Sequence, residues 1–162
     1  MMVKICGITN LPDALAAIDG GASALGFNFY PKSPRYLAPD RAAELIAKLP
    51  ANVWKVGVFV NELAAQVAAV ARHVGLDIVQ LHGNEGPADF PPALRVWKGF
   101  RVTGGTERPW LDSPAEAVLL DGPGGEFYGG AGHTFDWNLA GGAKKIILAG
   151  GLDAGNVRQA IA

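Results

Sequence analysis

Cysteine is almost missing from this sequence of 162 residues: Cys6 stands alone. A single cysteine excludes an intramolecular disulfide framework and a zinc cluster built on thiolates. It also fits a reducing compartment. Neither sign of charge dominates, with 14 Lys and Arg against 15 Asp and Glu and a net charge of −1. That balance excludes an acidic disordered tail and a strongly basic nucleic-acid binder, so no nucleic-acid partner is expected. No run of about 18 apolar residues occurs, so no membrane partner is expected either. The start, Met1-Met2-Val3-Lys4-Ile5-Cys6-Gly7, lacks the apolar stretch of a secretion signal. These absences lead us to expect a soluble, cytoplasmic protein. The three histidines show no metal-ligand spacing, so no metal site is expected.

Glycine, by contrast, is plentiful. The 22 glycines are roughly twice the usual share, and they cluster in pairs such as Gly20-Gly21, Gly104-Gly105 and Gly150-Gly151. Such pairs suit a fold with many tight loops. Length and composition predict one domain over residues 1–162 with a core of its own.

Short apolar runs alternate with helical patterns along the chain. Val3–Cys6 reads as a first strand, followed by a helix capped by Asn10 with Leu11, Leu15 and Ile18 on one face. Ala24–Phe29 reads as the second strand. Pro39 then opens a helix with Ala42, Leu45, Ile46 and Leu49 buried, closed by Pro50. Trp54–Val60 is the third strand, and Asn61 is expected to cap a helix with Leu63, Val67, Val70 and Val74 on one face. Ile78–His82, Arg95–Phe100, Ala117–Asp121 and Lys145–Ala149 complete the set. A short final helix opens at Asn156. Strands joined by such crossovers run parallel. The class is therefore α/β with a parallel sheet, either doubly wound and open or a (βα)8 barrel short of its last unit. The turn after the first strand, Cys6-Gly7-Ile8-Thr9-Asn10, carries no G-x-G-x-x-G nucleotide fingerprint.

In parallel α/β folds chemistry collects at the carboxyl ends of strands. The polar residues there are Cys6, Asn28 with nearby Arg35, Gln80 and His82, Arg101, and Asp121, with Gly150-Gly151 after the last strand. A carboxyl that ends an apolar run, as Asp121 does, can hold a proton as a general acid must; it can equally cap the turn into Gly122-Pro123. A thiol at a strand end can serve as a base where its surroundings favour the thiolate, though a lone Cys is also a small buried hydrophobe. Arg35 sits in a loop stiffened by Pro31 and Pro34, which suits bidentate carboxylate binding as well as plain solvation. Gly150-Gly151 can cradle a phosphate with backbone N–H groups, or simply end a strand.

Several stretches, in order, resemble the phosphoribosylanthranilate isomerase family of tryptophan biosynthesis. They are Val3-Lys4-Ile5-Cys6-Gly7-Ile8-Thr9, the run from Gly26 to Tyr36 with its Ser33-Pro34-Arg35, Val56–Asn61, Val79–Glu85, Leu119-Leu120-Asp121, Gly129–Trp137 and Leu148–Leu152. The resemblance implies a TIM-type (βα)8 barrel of which this chain holds about seven units, and a phosphosugar substrate with no cofactor. It implies an aldose–ketose isomerase acting on N-(5-phosphoribosyl)anthranilate by Amadori rearrangement, as a monomer or homodimer. Cys6 matches the family's general base, Asp121 its general acid, and Arg35 the residue that faces the anthranilate carboxylate. Gln80, His82, Gly150 and Gly151 are then expected to contact substrate.

Two departures from the family pattern stand out. Ala131 and His133 replace the usual Thr and Lys. The eighth strand with its phosphate loop has no counterpart, so weak activity and self-association through an open seam are expected of the chain alone. Two alternatives remain at this point: another phosphosugar barrel, such as a ribulose-phosphate epimerase, or a fragment that binds without catalysis. The epimerase would want His and Asp metal ligands at strand ends, which this chain lacks.

Overall fold

The computed structural model describes residues 1–104, 107–123, 134–142 and 145–161. Its framework divides into two compact units, Met1–Val96 and Trp97–Ala162.

The first unit contains β1 (Lys4–Cys6), α1 (Leu11–Asp19), β2 (Ala24–Asn28), α2 (Pro39–Ile46), β3 (Trp54–Phe59), α3 (Ala64–Val74) and β4 (Ile78–Leu81). All its strand pairs are parallel, with Cys6 opposite Gly26, Gly26 opposite Val56, and Val58 opposite Gln80. Side chains alternate across a strand. On one face, Leu25, Phe27, Phe59, Val79 and Leu81 pack with Ala14 of α1, Ala42 and Leu45 of α2, and Val67 and Ala71 of α3 in one core. Burying a side chain such as Phe27 stabilises the fold by about 1.5–3 kcal/mol. Cys6, Gly26, Asn28 and Gln80 belong to the alternate positions, on the other face of their strands. That periodicity separates core from chemistry.

Local signals explain the helices. Asn10 caps α1 by accepting a hydrogen bond from the Asp13 N–H at 2.9 Å. Pro39 starts α2 as expected, although the helix ends at Ile46, before Pro50. Gly75 ends α3 at φ +77, the left-handed conformation that favours glycine. The expected start of α3 is corrected: its cap is Leu63, and no side chain caps it. The Asn61 side chain instead accepts a hydrogen bond from the Asn84 N–H at 2.7 Å. Leu63, expected in the apolar stripe, is 73% exposed because it precedes the helix.

The second unit contains β5 (Val96–Arg101, its first residue in the preceding unit), β6 (Ala117–Asp121), β7 (Ile146–Leu148) and α4 (Val157–Ala160). It is parallel throughout, with Arg101 opposite Asp121 and Leu120 opposite Leu148. Val102, Trp110, Val118, Leu120 and Ala140 form its core. Trp110 belongs to a 3-10 turn, Pro109–Asp112, which stands in the β5–β6 connection. The Gly129-Gly130-Ala131-Gly132-His133 loop lies outside the described residues.

A glycine inside a strand often marks a close approach of neighbouring groups. A Cβ on Gly57 would lie 2.9 Å from Phe59 Cε2 and 3.1 Å from Phe29 Cε2, and closer still to Leu76 Cδ1. Those two rings stack with centroids 5.1 Å apart, which leaves little room to yield. We therefore expect Gly57→Ala to destabilise the chain by about 1–3 kcal/mol, the scale of an overpacked core. Urea denaturation checks this, and a midpoint equal to the parent's would contradict it.

Candidate active site

The β1–β2 register places Cys6 directly across from Gly26. A Cβ on Gly26 would fall 2.7 Å from Cys6 Sγ and 3.0 Å from Lys4 Nζ. Thiol and ammonium thus both lie over the bare glycine, on the same face of β1. The thiol is free and exposed, so Cys6 is not the small buried hydrophobe its type commonly makes.

The turn after Cys6 is built around a second glycine. The Gly26 carbonyl accepts hydrogen bonds from both the Gly7 and Ile8 N–H groups, at 2.9 and 3.0 Å. Gly7 has φ +87, and a Cβ there would meet Arg35 Cδ, with Nε 2.9 Å and Nη1 3.0 Å away. The Arg35 side chain therefore lies on the Cys6–Gly7 peptide. Its Nη1 donates a long hydrogen bond of 3.4 Å to the Cys6 carbonyl. The structure brings Cys6 and Arg35 together, from positions 29 residues apart.

Arg35 is presented by a braced loop. Asn28, at the end of β2, accepts a hydrogen bond from the Tyr30 N–H at 2.9 Å and donates one from Nδ2 to Ser33 Oγ at 3.0 Å. Ser33 Oγ in turn accepts from the Arg35 N–H at 3.2 Å. The Leu37 N–H donates to the Asn28 carbonyl at 2.9 Å, which closes the loop. Asn28 and Ser33 set the path of this segment.

Gln80 and His82 form a second direct pair. Both are buried, at 2% and 8% exposure, and Gln80 Nε2 lies 2.9 Å from His82 Nδ1. An amide nitrogen only donates, so in this contact Nδ1 is placed to accept. Gln80 Oε1 is buried without a hydrogen-bond partner. A buried acceptor left unsatisfied costs free energy, and a donor on a bound ligand would relieve it. His73, the surface histidine of α3, pairs instead with Asp40 at 2.7 Å.

In the second unit Asp121 closes β6 and is buried, at 6% exposure. Its own carbonyl accepts a hydrogen bond from the Val102 N–H at 2.9 Å. Gly150 and Gly151 follow β7 at φ +82 and +61. Two successive left-handed residues explain why both positions are glycine. Asp153 Oδ1 accepts from the Gly155 and Asn156 N–H groups at 2.7 and 3.0 Å, so those donors at the start of α4 are already engaged. Among the described residues, no group of three His, Cys, Asp or Glu side chains is placed to hold a metal ion. No described helix is long and apolar enough to cross a membrane.

Sequence reasoning missed Lys4, Gly7, Gly26 and Ser33 as parts of this arrangement. A signal existed for two of them. Lys4 stands two residues before Cys6 on one strand face, and Gly26 interrupts an apolar strand.

Residues 3–162 match the family model of N-(5'-phosphoribosyl)anthranilate isomerase. The enzyme of that name from Solibacter usitatus is 57% identical over 163 residues, covering 99% of this chain and 80% of the relative. The crystal structure of phosphoribosyl anthranilate isomerase from Thermus thermophilus superposes with a TM-score of 0.91 at 36% identity, over 99% of this chain and 82% of that one. A further structure of such an isomerase holds reduced 1-(o-carboxyphenylamino)-1-deoxyribulose 5-phosphate. It has a TM-score of 0.85 at 40% identity, over 99% and 81% of the two chains. The fold class is the TIM-type α/β barrel of these structures. By family model and by relatives alike, the chain belongs to the N-(5'-phosphoribosyl)anthranilate isomerase family.

Proposed function

We propose that this chain catalyses the Amadori rearrangement of N-(5'-phosphoribosyl)anthranilate to 1-(o-carboxyphenylamino)-1-deoxyribulose 5-phosphate, a step of tryptophan biosynthesis. One observation carries the assignment of roles: the exposed Cys6 thiol and the Arg35 guanidinium share a single peptide, the Cys6–Gly7 unit. A base and a carboxylate binder held that closely suit a substrate whose benzoate stands next to the carbon that loses a proton.

The chemistry divides into two proton transfers. Asp121 gives a proton to the furanose ring oxygen, the C1′–O bond breaks, and the aniline nitrogen lone pair forms the C1′=N bond of a protonated Schiff base. Cys6, as thiolate, then removes the proton on C2′. The C2′–H electron pair becomes a C1′=C2′ double bond, and the C1′=N electrons return to nitrogen, giving a neutral enolamine. Transfer of the enol proton to C1′ yields the ketone. Arg35 holds the benzoate through the outer edge of its fork, while Nη1 stays on the Cys6 carbonyl. Gln80 and His82 contact the substrate, whose donor groups suit the unpartnered Gln80 Oε1. Gly150 and Gly151 offer backbone N–H groups to the phosphate.

Loss of the substrate's fluorescence on incubation with the chain follows the reaction directly. Cys6→Ala and Asp121→Asn should each lower turnover by at least roughly 100-fold, the scale of a lost general base or acid. Turnover within a few-fold of the parent would remove that residue from the chemistry. Arg35→Ala should mainly raise KM, because the benzoate carboxylate takes no part in either proton transfer and is bound alike in ground and transition states. An unchanged KM with a collapsed kcat would instead place Arg35 in the chemical step.

A further inference from the structure

Glu85 is a buried carboxylate that the mechanism above does not use. It lies three residues beyond His82, in the turn after β4, and is 7% exposed. Taking a carboxylate out of water is costly unless hydrogen bonds compensate. Here Oε1 accepts from the Asn61 N–H at 2.6 Å and Oε2 from the Gly83 N–H at 2.8 Å. Asn61 returns the link, accepting from the Asn84 N–H through Oδ1 at 2.7 Å. Two loops some 24 residues apart are therefore tied by two of these bonds, Asn61 N–H to Glu85 Oε1 and Asn84 N–H to Asn61 Oδ1, while the bond from Gly83 N–H to Glu85 Oε2 braces the second loop on itself.

Backbone geometry shows how closely the tie is drawn. Asn61 holds φ +53, a left-handed conformation uncommon outside glycine. A Cβ on Gly83 would run into Asn61 Oδ1 and stand 2.7 Å from Asn61 Cγ and 2.8 Å from Asn61 N. His82 lies immediately before this contact. Its own N–H donates to the Phe59 carbonyl at 2.9 Å, and its ring is met by Gln80. The histidine is thus fixed between the last bond of the β3–β4 ladder and the Asn61–Glu85 tie.

We propose that Glu85 and Asn61 are positioning residues that act through His82, setting where its imidazole meets the substrate. The proposal rests on the reading of His82 as a substrate contact. A carboxylate suits this task because one group can accept from two separate N–H donors and pull both loops to one point. A neutral amide can accept with one oxygen only, and its NH2 would face the second donor.

A double-mutant cycle on the whole chain tests the proposal, with KM and kcat measured well below the melting temperature of each variant. Glu85→Gln and Asn61→Gly should each raise KM about fivefold or more while kcat holds within about threefold. Glycine adopts the left-handed conformation of residue 61 without strain, so Asn61→Gly deletes the acceptor and spares the backbone. In a His82→Asn background the same substitutions should add less than about twofold, since residues that act through one another are not additive. Should Glu85→Gln fail to fold, Asn61→Gly completes the cycle. Penalties that multiply undiminished in the His82→Asn background would overturn the proposal and leave the tie a structural one. A His82→Asn variant with the parent's KM would instead overturn the reading of His82 itself, and the proposal with it.

Discussion

The parallel register between β1 and β2 is the constraint on which the candidate base depends. Cys6 faces Gly26 across that pair, and the absence of a side chain at residue 26 makes the space that the thiol and the Lys4 ammonium fill. The same glycine's carbonyl gathers two successive N–H groups, those of Gly7 and Ile8. Those bonds end the strand in a left-handed turn, and the turn lets the Arg35 side chain lie against the peptide. A slip of one residue would turn every side chain of β1 to the opposite face. Thiol and guanidinium would then part company. Strand pairing, rather than any contact between side chains, sets the proposed base beside the proposed carboxylate binder.

The loops after β2, β3 and β4 share a second trait. Each is held by a polar side chain that reaches backbone atoms: Asn28 and Ser33 for the loop that bears Arg35, Asn61 and Glu85 for the turns after β3 and β4. Loops open easily when their backbone hydrogen bonds are exposed and their packing is sparse. Side chains that satisfy those backbone groups give the loops a single path, which a site needs if it is to hold reacting groups in line. At the other end of the strands similar links join Val3 to Ser23 and Lys55 to Asp77, where no candidate chemical group stands.

Alternation and punctuation made most of the fold legible in the sequence. Leu25 and Phe27 face the helices because they alternate with Ala24, Gly26 and Asn28, and Asn10 caps α1 because its side chain reaches a donor three residues on. Those are local facts. Asn61 shows where local reasoning ends: an Asn ahead of a helical pattern reads as a cap, yet its oxygen is taken by a backbone group 23 residues away. Glu85 escaped notice for the same reason, since nothing near it in sequence tells which N–H groups it will meet. Cys6, Arg35 and Asp121 stood out because strand ends and residue chemistry mark them. Their supporting residues did not, because each acts across a gap that periodicity does not span. Gly7 is the clearest case, a residue whose need for φ +87 becomes evident only once Arg35 lies over it.

The central claim is that one peptide unit carries both the base and the seat of the benzoate. A crystal structure of this chain with reduced 1-(o-carboxyphenylamino)-1-deoxyribulose 5-phosphate tests it most directly. The account predicts the ligand's carboxylate on the outer edge of the Arg35 guanidinium, with Cys6 Sγ about 3.5 Å from C2′, the separation of a near-attack arrangement. A carboxylate bound by other residues, with the thiol turned away from C2′, would contradict it.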